Sequence, residues 1–216
     1  MKAKRMILLN VILLIVLVGG GFVGYYYFNQ SMNYISTDNA QIAGQQVNIG
    51  APGNGKLVRW DGKVGDTFSK NDTIGTVDMQ GADGKSVNMP IKAPQDGTVV
   101  QSNAVENAMV AAGTPLAISY DLDHLWVTAN IEETDLDNIK KGQDVDITVD
   151  AFPNTTLSGK VQKIGLATAG TFSLLPSNNS SGNYTKETQV IPVKISIDSY
   201  GVKLVPGMNV TVRIHK

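Results

Sequence analysis

The sequence predicts a mainly β protein that has one apolar helix at its N-terminus, then a β-sandwich built from two half-motifs, and last a small β-barrel with one short helix. Three observations lead to this prediction. An uncharged apolar stretch fills residues 6–28, an internal repeat fills residues 45–119, and short strands separated by turn residues fill residues 120–216. With 22 glycines and only 6% aromatic residues, the composition favours short strands and tight turns over a helical bundle.

The N-terminal apolar stretch runs from Met6 to Phe28 without a charged residue. As a helix rising 1.5 Å per residue it is roughly 34 Å long, enough for a hydrocarbon core of about 30 Å. The basic residues within 1–5 predict a short tail in the cytoplasm and the rest of the chain outside. Three aromatic residues at the far end suit the membrane interface: Tyr25, Tyr26 and Tyr27.

We therefore expect a single-pass anchor in the cell (cytoplasmic) membrane. A cleaved signal peptide is the alternative interpretation of residues 6–28. It is disfavoured because the apolar stretch is longer than a usual signal core of ~7–15 residues. The stretch also ends in tyrosines, whereas cleavage sites need small residues. A polar linker and a first strand are expected next, over residues 29–44.

Composition excludes several kinds of chemistry. The chain contains no cysteine, which rules out disulfides, thiolate metal sites and thiol nucleophiles. Its formal net charge of −1 provides no basic field for nucleic acid. The two histidines, His124 and His215, are far apart in sequence and do not predict a metal or catalytic site. We expect no cofactor and no enzymatic activity.

The internal repeat matches residues 47–58 to residues 89–100, at the constant offset of 42 positions that separates Ala51 from Ala93. Each half contains a strand, an Ala-Pro corner, a glycine turn (Gly55 or Gly97) and a second strand. Further along, the sequence aligns Val64-Gly65-Asp66 with Val105-Glu106-Asn107. Neither half can bury its apolar side alone, so the two are expected to pack face to face.

Two such halves over residues 45–119 resemble the biotinyl/lipoyl-like fold. In carrier proteins of that fold, a lysine in the central turn bears the cofactor, and Lys85 lies in the corresponding stretch. Its flanks, Gly84 and Ser86, do not match the residues around a biotin or lipoyl acceptor. An unmodified turn lysine is therefore favoured, and a carrier domain modified at Lys85 is kept as an alternative.

The third part, residues 120–216, shows alternating apolar and polar residues typical of half-buried strands. We predict a helix over 132–141, whose acidic start and basic end complement the helix dipole. A long polar loop, residues 168–186, interrupts the strands. The predicted strands are Leu125–Ile131, Asp144–Ala151, Leu157–Leu166, Gln189–Ile197 and Met208–Ile214.

The order of these segments is similar to that of the HlyD-type membrane fusion proteins, also called periplasmic adaptors. The resemblance rests on 34–40, the two lipoyl-like halves, 125–134 and 205–208. The loop segment 170–176, with Tyr184 and the stretch 191–193, resembles the EmrA-like branch. That resemblance implies an adaptor subunit of a multidrug efflux system, which assists a major facilitator drug:proton antiporter. Over the outer mouth of the transporter, three roles are open: copies of the chain assemble into a collar as a homo-oligomer, the adaptor stabilises an open state, or it carries substrate away from the lipid surface.

One departure from the family pattern concerns the stretch between the two halves. Many members carry a long α-helical hairpin there, whereas residues 78–86 of this chain offer only a turn. We therefore expect no direct docking to an outer-membrane channel, and an envelope with one membrane.

Five apolar or aromatic residues of the long loop are expected to contact the transporter. An equally weighted alternative is that the loop folds back and caps the barrel. An adaptor of an ABC-type exporter and a structural envelope protein are the other functional alternatives. The expected contact residues are Phe172, Leu174, Leu175, Pro176 and Tyr184.

Overall fold

The computed structural model describes residues 2–81, 85–172 and 188–216. They form two compact units. The barrel unit comprises residues 1–41, 127–201 and 209–216, and the sandwich unit comprises residues 42–126 and 202–208. Strands dominate both units, which confirms the prediction of a mainly β protein with a sandwich and a barrel.

Helix α1 spans Lys2–Asn33 and is followed directly by strand β1, Tyr34–Ala43. The helix therefore continues five residues beyond Phe28, where the sequence predicted a linker. Among the described residues, no helix has the combined length and apolar character needed to cross a membrane.

The sandwich unit consists of two four-stranded sheets, ordered β2-β9-β7-β4 and β6-β5-β3-β8. Strands β7 and β8 lie 42 positions after β3 and β4, and β9 begins 42 positions after the start of β5. Each sheet thus combines strands from both halves of the repeat. The strands are β2 Gln46–Gly50, β3 Gly55–Trp60, β4 Thr67–Phe68, β5 Thr73–Gln80, β6 Ser86–Lys92, β7 Gly97–Ser102, β8 Met109–Val110 and β9 Pro115–Tyr120.

The core between the two sheets repeats in the same way. Buried Ile49, Leu57 and Ile74 of the first half correspond to Ile91, Val99 and Leu116 of the second. Because each half supplies residues to both sides of a shared apolar core, neither can be stable without the other. The repeat correctly predicted a core shared by both halves, but the two sheets that face each other each contain strands of both halves and not of one half each.

The turn alignment made from the sequence is wrong by one residue. Gly65 (φ 98°) corresponds to Asn107 (φ 69°), the residue 42 positions later, and not to Glu106. Gly65 donates its N–H to the Val99 carbonyl at 2.8 Å, and Asn107 donates to the equivalent Leu57 carbonyl at 2.7 Å. The matching Val64 and Val105 misled the alignment, whereas the left-handed backbone fixes the true equivalence, since Gly and Asn tolerate it best.

The barrel is closed, with strand order β1-β10-β13-β12-β11-β14. The predicted strand ends lie within two residues of those observed. Alternate side chains, such as Ile147, Ile195 and Val212, are fully buried inside it. Its later strands are β10 Trp126–Glu132, β11 Asp144–Val149, β12 Thr156–Ile164, β13 Val190–Ile197 and β14 Asn209–His215.

Two predictions about the barrel need correction. Strand β1 belongs to it and pairs with β14, so the barrel is not confined to residues 120–216. The helix predicted over 132–141 is a six-residue 3-10 helix, Glu133–Asn138. None of its residues is buried, so no apolar face supports a longer α-helix, and Lys140 and Lys141 lie beyond its end.

Candidate partner-facing end of the barrel

One end of the barrel, which we call the helix end, is where α1 joins β1. The antiparallel register shows which other segments lie there. Tyr34, the first residue of β1, pairs with His215 of β14. Ile214 pairs in turn with Val145, close to the start of β11. The helix end therefore also holds the connection that leads from the 3-10 helix into β11.

The same register continues around the barrel to the long loop. Asp144 at the start of β11 pairs with Lys160 of β12. Further along, Ile164 at the end of β12 pairs with Val193 near the start of β13. The connection over residues 165–189 therefore begins and finishes at the helix end.

Tyr34 occupies the point where α1 gives way to the barrel. Its ring meets the His215 ring edge-on, with centroids 4.8 Å apart and an interplanar angle of 78°. The Arg213 guanidinium lies 4.8 Å from the same ring centroid, within the range of a cation–π contact. His215 Nε2 lies 3.0 Å from an Asp146 carboxylate oxygen. These contacts tie β1, β14 and β11 together beside the helix.

The backbone adds a further link at this point. The Lys216 N–H donates to the carbonyl of Asn33, the last residue of α1, at 2.9 Å. The end of the helix is therefore held by β14 as well as by the covalent connection to β1.

Asp144 and Lys160 form an exposed ion pair across β11 and β12. The hydrogen bond and charge of Lys160 lower the pKa of Asp144, and the reciprocal contact raises the pKa of Lys160. Both side chains are open to water, so the pair contributes little to stability. The pKa values of the pair depend on the charges at the helix end.

A polar cleft of about 610 Å³ opens on the barrel unit beside β1 and β10. Three of its residues are acidic: Asp38, Glu132 and Asp135. Among the described residues, no group of three or more His, Cys, Asp or Glu side chains is arranged to hold a metal ion. The cleft is lined by Ile35, Ser36, Thr37, Asp38, Ile131, Glu132, Asp135 and Thr211.

The predicted contact residues are only partly within the described structure. Phe172 is the last residue of a second short 3-10 helix, Ala169–Phe172, in the connection that starts at the helix end. Leu174, Leu175, Pro176 and Tyr184 lie outside the described residues, so their contact role stays a prediction.

Of the three tyrosines predicted at a membrane interface, Tyr25 and Tyr26 are exposed on α1. Tyr27 belongs to the same helix, but its side chain is outside the described part. Lys85 directly precedes β6, and its carbonyl accepts a hydrogen bond from the Gly81 N–H at 2.7 Å. His124 lies on the surface beside Asp121, at 2.7 Å, far in sequence from His215.

Sequence reasoning missed the Tyr34 cluster and one exposed residue of the loop flank. No local pattern connects Tyr34 to Arg213 and His215, because their proximity depends on barrel closure. Leu166, assigned to a strand, lies just beyond β12 and is 97% exposed. A leucine at the end of an alternating strand and before a polar loop is the signal that could have identified it.

Comparison with known proteins agrees with the two-unit architecture. Residues 45–121 match the family model described as YhbJ, barrel-sandwich hybrid domain. Residues 125–214 match the YknX-like beta-barrel domain. The chain is 46% identical over 214 residues to the Bacillus subtilis (strain 168) protein named "Putative efflux system component YhbJ", an alignment that covers 99% of this chain and 94% of that protein.

Similarity to longer relatives is partial. The Multidrug export protein EmrA of Escherichia coli (strain K12) is 34% identical over 117 residues, covering 54% of this chain and 30% of EmrA. The solved periplasmic adaptor protein EmrA superimposes with a TM-score of 0.55 at 13% identity, over 85% of this chain and 99% of that one. ZneB from Cupriavidus metallidurans gives a TM-score of 0.62 at 18% identity, over 85% and 98% of the two chains. At these identities the two structures establish the fold alone.

Taken together, fold and sequence define an adaptor-type protein with a lipoyl-like sandwich and a barrel. The chain belongs to the HlyD-type membrane fusion protein (periplasmic adaptor) family, in the branch that includes YhbJ and the EmrA proteins. This family is one of efflux adaptors and not of enzymes. Only residues 81–85 connect β5 to β6, so the chain lacks the long helical hairpin at that position.

Proposed function

We propose that this protein is a membrane-anchored adaptor that assists a major facilitator-type transporter in exporting drugs or other amphipathic compounds. One observation carries the proposal: the flanks of the long loop, 165–172 and 188–189, share the helix end of the barrel with the exit of α1. A partner in the same membrane as α1 would meet that end first.

The anchoring part of the proposal is supported by the uncharged stretch of residues 6–28 and by the basic residues before it. In this arrangement residues 1–5 are cytoplasmic, Tyr25, Tyr26 and Tyr27 lie at the outer interface, and both β units are extracytoplasmic. Anchoring keeps the adaptor beside its partner and turns docking into an effectively intramolecular event.

The contact surface is proposed to be the long loop, through Phe172, Leu174, Leu175, Pro176 and Tyr184. Apolar and aromatic residues within a polar loop are typical of interface anchors. Leu166, almost wholly exposed at the start of the same connection, extends this surface. The transporter would provide the energy for export.

The adaptor is proposed to work at a single membrane. The connection between β5 and β6 spans residues 81–85, which is too short for an α-helical hairpin able to reach a channel in a second membrane. Copies of the chain could still form a collar over the transporter mouth through their β units.

Co-purification from mild detergent tests this function. The full chain should co-purify with one polytopic transporter. Deleting the gene of the adaptor should increase the accumulation of a fluorescent drug in the cells. Phe172→Ala combined with Tyr184→Ala should reduce recovery of the transporter, whereas Val64→Ala, at an exposed turn of the sandwich unit, should not. Recovery of an ABC-type exporter would change the partner class. Absence of any polytopic partner, with unchanged drug accumulation, would refute the proposal.

A further inference from the structure

A groove of about 800 Å³ opens in the sandwich unit, over the sheet that contains β3, β5 and β8. This volume is in the usual range for sites that bind small organic molecules. Three side chains form a row across its floor. Lys56 of β3 pairs with Asp78 of β5 on one side and with Met109 of β8 on the other. Directly paired residues point to the same face of a sheet, so all three border the groove.

The internal repeat provides a built-in comparison for this row. The residues 42 positions after Asp78 and Lys56 are Tyr120 and Thr98, and the residue 42 positions before Met109 is Thr67. All three equivalents lie in the other sheet. The equivalent strands pair in the same way, Tyr120 with Thr98 and Thr98 with Thr67. Any residue type that the fold itself requires should therefore recur there.

The two rows differ in every residue. In the second sheet the Thr67 and Thr98 hydroxyls hydrogen-bond to each other at 3.2 Å, and the Tyr120 hydroxyl donates to Gln46 at 3.0 Å. The second row therefore carries no charge, and its hydroxyl groups form hydrogen bonds within the same sheet. The groove row instead carries one charge of each sign and Met109, which is 78% exposed. The fold does not require these three residues.

Met79 lines one end of the groove. It packs against the core of the sandwich and lies over Gly53, where an added Cβ would come within 2.4 Å of the Met79 methyl carbon. The repeat places a glutamine, Gln95, at the position equivalent to Gly53. The glycine therefore leaves the space that Met79 fills. Met79 follows Asp78 in β5, so its side chain lies on the core face of the sheet, and Met109 is the thioether beside the two charges on the groove face. Such a flexible side chain adapts to flat or aromatic groups.

We propose that this groove binds a zwitterionic amphipathic molecule with an aromatic body. Asp78, whose carboxylate also accepts a hydrogen bond from Ser86, would meet the cationic group of the ligand. Lys56 would meet its anionic group, and Met109 would contact the aromatic body. A ligand with both charges matches a groove floor with no net charge, whereas a simple cation or anion meets one repulsive side chain.

Nε-Dansyl-L-lysine tests this site, because it carries an amino group, a carboxylate and a fluorophore that brightens in apolar surroundings. The full chain in lipid nanodiscs should bind it saturably above the signal of empty nanodiscs, and more tightly than dansyl amide, which lacks both charges. Met109→Thr installs the residue of the equivalent row and should weaken binding of both probes roughly three- to tenfold, the range of one lost sulfur–aromatic contact. Asp78→Asn should reduce the affinity for dansyl-lysine only part of the way towards that for dansyl amide, because the contact of Lys56 with the carboxylate remains.

Thr67→Ser, at the equivalent position in the other sheet, is the matched control and should bind like the wild type. Methyl-labelled methionine NMR locates the site: the Met109 signal should shift with the probe and the Met208 signal should not. The proposal fails if binding is absent up to millimolar probe, if the two probes bind equally, or if Met109→Thr has no effect. It does not depend on the transporter partner, so failed co-purification would leave this result unchanged.

Discussion

Asn71 and Gly113 hold the same left-handed backbone conformation at equivalent positions of the repeat, with φ angles of 72° and 78°. The Asn71 N–H donates to the Ala93 carbonyl at 2.8 Å, and the Gly113 N–H donates to the Ala51 carbonyl at 2.9 Å. Those acceptors are themselves the equivalent alanines of the two Ala-Pro corners. The repeat is therefore preserved in the hydrogen bonds that join the halves and in the backbone positions that only a few residue types tolerate.

Replacing Gly113 tests whether backbone conformation alone sets the residue at this position. A Cβ added there has no atom within 4 Å, so a new side chain meets no steric obstacle. Gly113→Asn should therefore cost less than about 1 kcal/mol, since Asn71 already holds this conformation in the other half. Gly113→Val should cost roughly 1–3 kcal/mol, because a β-branched residue is strained at positive φ.

Urea unfolding of the full chain in mild detergent, followed by tryptophan fluorescence, measures both changes. Equal stability of the valine and asparagine variants would show that backbone strain does not select the residue at this turn.

Gly55 and Gly97 are equivalent in sequence but not in available space. A Cβ on Gly55 would lie 2.2 Å from the Asp78 carbonyl oxygen, whereas a Cβ on Gly97 would lie 3.0 Å from the Tyr120 carbonyl oxygen. Both contacts are with backbone and cannot be relieved by rotating a side chain, but the Gly55 contact is much shorter. Gly55→Ala should therefore destabilise the sandwich unit by roughly 1–3 kcal/mol, and Gly97→Ala by clearly less. Losses of the same size at both positions in urea unfolding would contradict this.

The sandwich could be predicted from the sequence because its information is local and duplicated. The Ala51 and Ala93 corners recur at one offset, and the apolar residues between them fall on alternate positions. The barrel could be predicted only in part. Its later strands alternate clearly, but β1 joins by pairing Tyr34 with His215, and nothing in either segment specifies a partner so far away in sequence.

The candidate site was harder to predict for the same reason. The loop flanks and the exit of α1 share one end of the barrel because of antiparallel register, which the sequence does not display. Family resemblance and the apolar residues of the long loop predict a contact surface there. The exposure of Leu166 and the row formed by Lys56, Asp78 and Met109 depend instead on the strand pairings. The helix predicted over 132–141 is shorter in the structure, because a favourable order of charges does not compensate for the lack of a buried face.

The Tyr34 ring is predicted to hold the helix end together. Tyr34→Phe keeps the ring that contacts His215 and Arg213, so it should behave like the wild type. Tyr34→Leu removes both ring contacts and should cost about 1–2 kcal/mol. The Lys216 amide donates a hydrogen bond to the Asn33 carbonyl, and its hydrogen exchange should become faster in the leucine variant. Unchanged exchange in that variant would show that the backbone link alone holds the helix.

The Asp144–Lys160 pair gives a prediction with a defined sign. Lys160 lowers the pKa of Asp144, mainly through their hydrogen bond and then through its charge, and His215 contributes least. In an NMR titration, Lys160→Gln should raise the pKa of Asp144 towards its ordinary value, and His215→Gln should raise it by much less. Asp144→Asn should lower the pKa of Lys160.

The effect of this pair on stability follows from linkage. A carboxylate whose pKa is lowered by folding stabilises the folded state at pH values above its unfolded pKa, and this stabilisation disappears as the pH falls through the folded pKa. A lysine whose pKa is raised by folding stabilises below its unfolded pKa and loses that contribution as the pH rises through the folded pKa. The difference in unfolding free energy between the wild type and Lys160→Gln should thus be largest near neutral pH and vanish in strong acid. Because both groups are exposed, the difference in unfolding free energy should also shrink in high salt. A difference that persisted in strong acid would show that Lys160 stabilises the fold through packing and not through its charge.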